Sequence, residues 1–148
     1  MSVPQILSWR PLVLGLLALM LAGCQRAAAP IGPEAFPTRG QVVVKGKPAS
    51  GVRIVLNPFP DVASPKFLPS AITDENGGFK VSTYSAGDGA PAGEYVLTLE
   101  WPVAKKADDD ESIVVKDRLQ GRYAVAAKSN WRVRIHEQDN ILEPIKIP

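Results

Sequence analysis

Beyond residue 37 the chain alternates apolar and polar positions in short runs, each closed by glycine, proline or Asx residues, the pattern of strands that bury one face in a sheet. Residues 40–44 (GQVVV) and 52–56 (VRIVL) predict the first two strands, with Val52, Ile54 and Leu56 sharing a face and Lys45-Gly46-Lys47-Pro48 turning the chain between them. Residues 57–69 hold Pro58, Pro60, Pro65 and Pro69. A proline has no N–H to give a ladder, so a loop or a broken edge is expected there. Residues 71–73 and 79–84 flank Asp74-Glu75-Asn76-Gly77-Gly78, whose Asn-Gly and Gly-Gly pairs supply the positive φ angles of a tight hairpin. Another turn-rich stretch, 88–93 (DGAPAG), leads into 94–101 (EYVLTLEW), a strand with Tyr95, Leu97, Leu99 and Trp101 directed to the core and Glu94, Thr98 and Glu100 opposite. Residues 102–122 show no period and predict a solvated excursion with a short strand at 112–115. Alternation returns at 131–135 (WRVRI), residues 136–140 turn the chain, and 141–147 close the sheet. The sum is an all-β fold of about seven strands, the size of an immunoglobulin-like or transthyretin-like β-sandwich.

The preceding residues follow a different pattern. Residues 1–10 are weakly positive and 11–20 (PLVLGLLALM) are apolar but short for a membrane span, with small residues directly after, which is signal-peptide anatomy. Leu21-Ala22-Gly23-Cys24 resembles the lipobox of bacterial lipoproteins. Small Ala22 and Gly23 let the extended backbone enter a protease cleft, and the Cys24 thiol is the nucleophile that accepts a diacylglyceryl group. The mature chain would then begin at Cys24, its partner being the membrane through two or more acyl chains, enough for a durable anchor. An ordinary secretory signal with an incidental cysteine is the alternative. Gln25 stands where an aspartate would favour retention at the inner membrane, so an outer-membrane location in the cell envelope is expected over an inner-membrane one. Residues 25–37 (QRAAAPIGPEAFP) have no hydrophobic period and predict an extended tether. The domain organisation expected is a signal peptide over 1–23, a flexible tether over 24–37 and a β-domain over 38–148.

Removing the signal leaves 148 − 23 = 125 residues, room for one ordinary domain. The 14 prolines and 12 glycines disfavour long helices, and 17 Lys+Arg against 15 Asp+Glu leave no case for nucleic-acid binding. Cys24 is the only cysteine and His136 the only histidine, which removes a disulfide framework, a zinc site and most histidine-dependent chemistry.

Four stretches carry a family resemblance: Gly40 to Val44 with Gly46-Lys47-Pro48, Thr73-Asp74-Glu75-Asn76-Gly77-Gly78-Phe79, Asp88-Gly89-Ala90-Pro91-Ala92-Gly93-Glu94-Tyr95, and the closing block from Tyr123 to Asn140. Together they resemble the small lipoproteins of planctomycete-type bacteria that carry a carboxypeptidase-regulatory-like, transthyretin-like domain. The resemblance spans nearly all of the mature domain and implies a seven-stranded β-sandwich displayed at the cell envelope, without an established catalytic role.

Candidate chemistry is sparse. The 5-hydroxyisourate hydrolases, which share a transthyretin-like fold, require several histidines and a different carboxyl end, and this chain ends Glu143-Pro144-Ile145-Lys146-Ile147-Pro148. His136, beside Glu137, is expected to be a turn residue. Calcium could find oxygen ligands at Asp74, Glu75 and Asn76 or at Asp108, Asp109, Asp110 and Glu111, but turn chemistry explains the first group, and a solvated loop neutralised by Lys105 and Lys106 explains the second. Tyr84, Tyr95, Trp101, Tyr123 and Trp131 could line a carbohydrate-binding face, with core packing the simpler role for Tyr95 and Trp101. No catalytic residue, metal or cofactor is expected. The expected function is therefore a non-enzymatic, lipid-anchored structural or adhesive module of the envelope, the alternative being a module that binds an envelope glycan or peptide.

Overall fold

The computed structural model describes residues 31–60, 66–106 and 113–148. The lipobox residues Leu21, Ala22, Gly23 and Cys24 and the acidic run 108–111 lie outside the described residues. In chain order the strands are β1 (Ala35–Phe36), β2 (Thr38–Val44), β3 (Lys47–Pro48), β4 (Arg53–Pro58), β5 (Ser70–Ile72), β6 (Gly78–Lys80), β7 (Ala90–Pro91), β8 (Gly93–Glu100), β9 (Pro102–Lys106), β10 (Ile113–Asp117), β11 (Arg132–Ile135), β12 (Asn140–Ile141) and β13 (Ile145–Ile147).

One sheet is antiparallel throughout, in the order β11-β8-β4-β5. The alternation read in β4 holds, since Ile54 and Leu56 are fully buried while Arg53 points outward. In β8 it does not hold, because every residue from Tyr95 to Leu99 is buried. Val96 and Thr98, on the face opposite the core residues, are covered in their turn. The Asn57 side-chain amide donates to Val96 O and to Thr98 Oγ1, each at 3.1 Å, and a 3₁₀ turn at Ala126–Lys128 lies against the strand.

The second sheet is organised on β2. Along one edge β6 and β3 pair with it antiparallel, and along the other β12 and β13 pair with it in parallel. The parallel edge is interrupted where Pro144 has no N–H to donate. The inner faces of both sheets meet in a single cluster to which β2 gives Val42, β6 Phe79, β13 Ile145, β4 Ile54 and Leu56, and β8 Leu97 and Leu99. The fold is all-β with several sheets, an arrangement consistent with a β-sandwich.

Three local expectations are corrected. The hairpin at Asp74 to Gly78 closes at its turn, where Asp74 N–H donates to Gly78 O at 2.8 Å, and again where Ser70 and Ser82 exchange bonds of 2.9 and 3.0 Å. Between those points its arms pair outward, β5 with β4 and β6 with β2, so the turn joins the two sheets. The excursion over 102–122 contains an antiparallel ribbon, β9 with β10, running from Asp117↔Pro102 to Ile113↔Lys106. The closing segment forms no hairpin with β11. It crosses to the other sheet and joins β2 in parallel. Within residues 24–37, expected as a tether, Ala35–Phe36 form β1 and pair with β7. Gly89 permits that approach: it has φ +98°, and a Cβ there would collide with the carbonyl of Phe36.

Candidate ligand-binding cleft

At the Val44 end of β2 the chain turns through Lys45 (φ 51°) and Gly46 (φ 76°), the positive pair that a two-residue hairpin requires, and returns as β3. This projects Lys45 and Lys47 into solvent. The facing wall is built at the base of the β9–β10 ribbon. There the Asp117 carboxylate accepts three backbone N–H bonds: Oδ1 from Trp101 at 2.7 Å and Leu119 at 2.9 Å, and Oδ2 from Gly121 at 2.7 Å. Partial burial works to raise the Asp117 carboxyl, and these amide bonds overcome it, holding the group below the usual carboxylate range. The turn so formed drives Leu119 into the core and leaves Arg118 and Arg122 exposed on either side of it.

Trp101 is half-buried between the walls. Its Nε1 donates to Ser50 O at 2.9 Å, and the Arg118 guanidinium lies over its ring, 4.7 Å from the centroid. Tyr123 completes the aromatic side, packed against Trp131 with the ring centroids 5.1 Å apart. The open cleft has a volume of about 590 Å³, and among the described residues the charged side chains lining it, Lys45, Lys47, Arg118 and Arg122, are all cationic. Among the described residues, the non-glycine positions with positive φ are Lys45 and Gln120, and both line this cleft. Backbone strain of this kind concentrates at functional sites.

Other sequence candidates take structural roles. Asp74 caps its own turn, with Oδ1 accepting the N–H groups of Asn76 at 2.8 Å and Gly78 at 2.9 Å. Among the described residues no group of three or more His, Cys, Asp or Glu residues is placed to hold a metal ion. His136 is exposed in the turn before β12, where its N–H donates to Asn140 Oδ1 at 2.9 Å. Tyr95 is buried and its hydroxyl donates to Pro91 O at 2.9 Å. Burial, with a lesser contribution from Tyr84, pushes its ionisation above the ordinary tyrosine range. Trp101, expected inside, stands at the rim of the core instead. The four cations escaped the sequence reading because they belong to two turns about seventy positions apart, and a near-neutral net charge conceals a local cluster. Trp101 followed by a cation-bearing Asp117-to-Arg122 turn was the one available signal.

The class defined by these observations is an all-β protein with a cationic, aromatic cleft at one end of its strands. No protein-family model matches the chain, and no curated protein matches it. Among solved structures it is similar to the crystal structure of a 9R-lipoxygenase from Cyanothece PCC8801, with 17% identity and a TM-score of 0.42 over 94% of this chain. The match takes in 20% of that structure, so this chain spans about a fifth of its length. The expectation of a non-enzymatic protein is withdrawn: the matched chain is named for a catalytic activity, at a similarity that argues for neither reading. The physical ground for the exclusion was also too narrow: a shortage of histidine and cysteine removes particular mechanisms, whereas carboxylates, lysines and tyrosines also perform acid–base work. At this level of similarity the likeness carries no argument for lipoxygenase chemistry here. Among the described residues no helix is long and apolar enough to cross a membrane.

Proposed function

We propose that this chain is a lipid-anchored β-sandwich of the cell envelope, held by acyl chains on Cys24 with the outer membrane favoured, and serving there as a structural or adhesive module. The observation that carries the anchor is Leu21-Ala22-Gly23-Cys24 directly behind an apolar run, with the chain's sole cysteine at the position that lipid attachment requires. The finer assignment, a seven-stranded immunoglobulin- or transthyretin-like sandwich of the carboxypeptidase-regulatory-like kind, is supported by the strand positions. If β12 with β13 and β6 with β3 are each taken as one interrupted edge, and the two-stranded β1–β7 and β9–β10 sheets are set apart, the second sheet has three strand positions and the first has four, seven together. Expression of the Cys24→Ser chain in a lipoprotein-processing bacterium tests the anchor. The protein should leave the membrane fraction or accumulate unprocessed, and persistent incorporation of labelled fatty acid would refute it.

A second reading, binding of an envelope glycan or peptide, is favoured by one observation, the cleft between Lys45, Lys47, Arg118 and Arg122. Capture of envelope components by the full chain, compared with a chain in which those four residues are neutralised, tests it. A bound component lost with the cations supports the reading, and identical profiles oppose it.

A further inference from the structure

We propose that the cleft binds an acidic saccharide, a segment of glycan bearing carboxylate or sulfate groups. This rests on the second reading above and names its ligand class. Four cationic side chains line about 590 Å³ and, among the described residues, no acidic side chain lines it; the Asp117 carboxylate behind the wall is engaged by three backbone N–H groups, so the balance of charge at the cleft favours an anion although the whole chain carries a formal charge of only +2. Arg118 is arranged for recognition. Its guanidinium lies over the Trp101 ring, 4.7 Å from the centroid, and among the described residues no hydrogen bond or ion pair engages its N–H groups, which suit paired bonds to a planar anion.

The aromatic side selects among anions. Trp101 and Tyr123 add flat apolar surface beside the charges, the combination that suits a sugar ring with an acidic substituent. A cleft of this size takes a short oligosaccharide. An acidic peptide would bind a β-protein most readily along an open strand edge. Here both walls are turns at strand ends, Lys45-Gly46 on one side and Leu119 to Gly121 on the other, so they offer no ladder to an added strand.

The chain leads into the folded unit through β1 and the Thr38 end of β2, and the cleft lies beyond the Val44 end. Six residue steps of extended chain separate those ends by roughly 20 Å. The site thus lies at the end of β2 away from where the chain enters the folded unit.

The test is calorimetric titration of the full chain in detergent micelles with oligogalacturonate, a neutral cello-oligosaccharide of equal length, poly-glutamate and phosphatidylglycerol vesicles. Oligogalacturonate should bind most tightly, more weakly at high salt, and lose about tenfold or more in affinity in Arg118→Gln/Arg122→Gln, as expected when hydrogen bonds to a charged group are removed. Because Arg118 also packs on Trp101, Arg122→Gln and Lys47→Gln are measured separately, each with its melting curve. Either should weaken binding without shifting the melt. Tighter binding of poly-glutamate or of the vesicles, or full affinity in the well-folded variants, overturns the assignment. Preference for the neutral sugar, unaffected by loss of the arginines, overturns the acidic ligand and leaves glycan binding standing. Silence toward all four probes and a broad glycan array, with no component captured from envelope extracts, overturns both.

Discussion

Single aspartates do much of the local folding in this protein. Asp74, Asp88 and Asp117 each gather backbone N–H groups of a turn onto one carboxylate, and Asp88 alone accepts from Thr83 at 2.7 Å and from Tyr84 and Ser85 at 2.9 Å. In Asp88, as in Asp117, partial burial works to raise the pKa and the amide bonds prevail, so the folded value lies below the unfolded one. A depressed carboxylate contributes stability that is fully present above its unfolded pKa, about 3.9, and is lost as pH falls through the folded value. The melting temperature should therefore drop on acidification below about pH 4. Asp117→Asn should melt lower at neutral pH and show a shallower acid limb; an acid limb as steep as that of the unmodified chain would show that Asp117 is not one of its sources. Thr73 is a neutral counterpart. Its buried hydroxyl donates to Ala49 O at 2.6 Å and accepts from Val52 N–H at 2.8 Å, so Thr73→Val leaves two buried backbone groups unpaired. A loss of about 2–4 kcal/mol in chemical denaturation is expected from the usual penalty for such groups.

Among the elements, strand position governs stability more than strand composition does. β8 lies between β4 and β11 and is buried from Tyr95 to Leu99, whereas the β9–β10 ribbon pairs only with itself. Leu99, fully buried in β8, has no room to be shortened without leaving a cavity, so Leu99→Ala should cost about 2–5 kcal/mol in equilibrium unfolding. An isolated two-stranded ribbon is marginal in water. Amide exchange should be fast over β9 and β10 and slow over β8. Equal protection would mean that another surface supports the ribbon. The ribbon also explains why the excursion looked aperiodic: with one partner strand and no sheet beneath it, it needs no alternating apolar face.

At the scale of the molecule, both sheets draw on one core cluster, since Val42, Phe79 and Ile145 of one pack with Ile54, Leu97 and Leu99 of the other. Neither sheet can lose its partner without exposing that surface. Heating the full chain should give one transition, with far-ultraviolet circular dichroism and tryptophan fluorescence coincident. Two separated transitions would show that the sheets fold as independent units. At this scale too the two walls of the cleft come together, at the Val44 end of β2. Sequence position alone places Lys45 and Arg118 far apart.

What the amino-acid sequence determined by itself was local. The period-two run at 52–56, the presence of a strand at 94–101 and the Asn-Gly turn are written in neighbouring residues, and short-range sterics and hydrogen bonding are enough to specify them. Which strands pair was not local. The arms of the Asp74 turn separate into different sheets, the closing segment joins β2 in parallel, and β1 takes a partner from residues beyond 89, because burying both inner faces at once outweighs pairing with the nearest strand in sequence. The cleft belongs to the tertiary structure for the same reason. Its cations and its tryptophan meet only where separate strands end together, and no pattern within either turn announces the other.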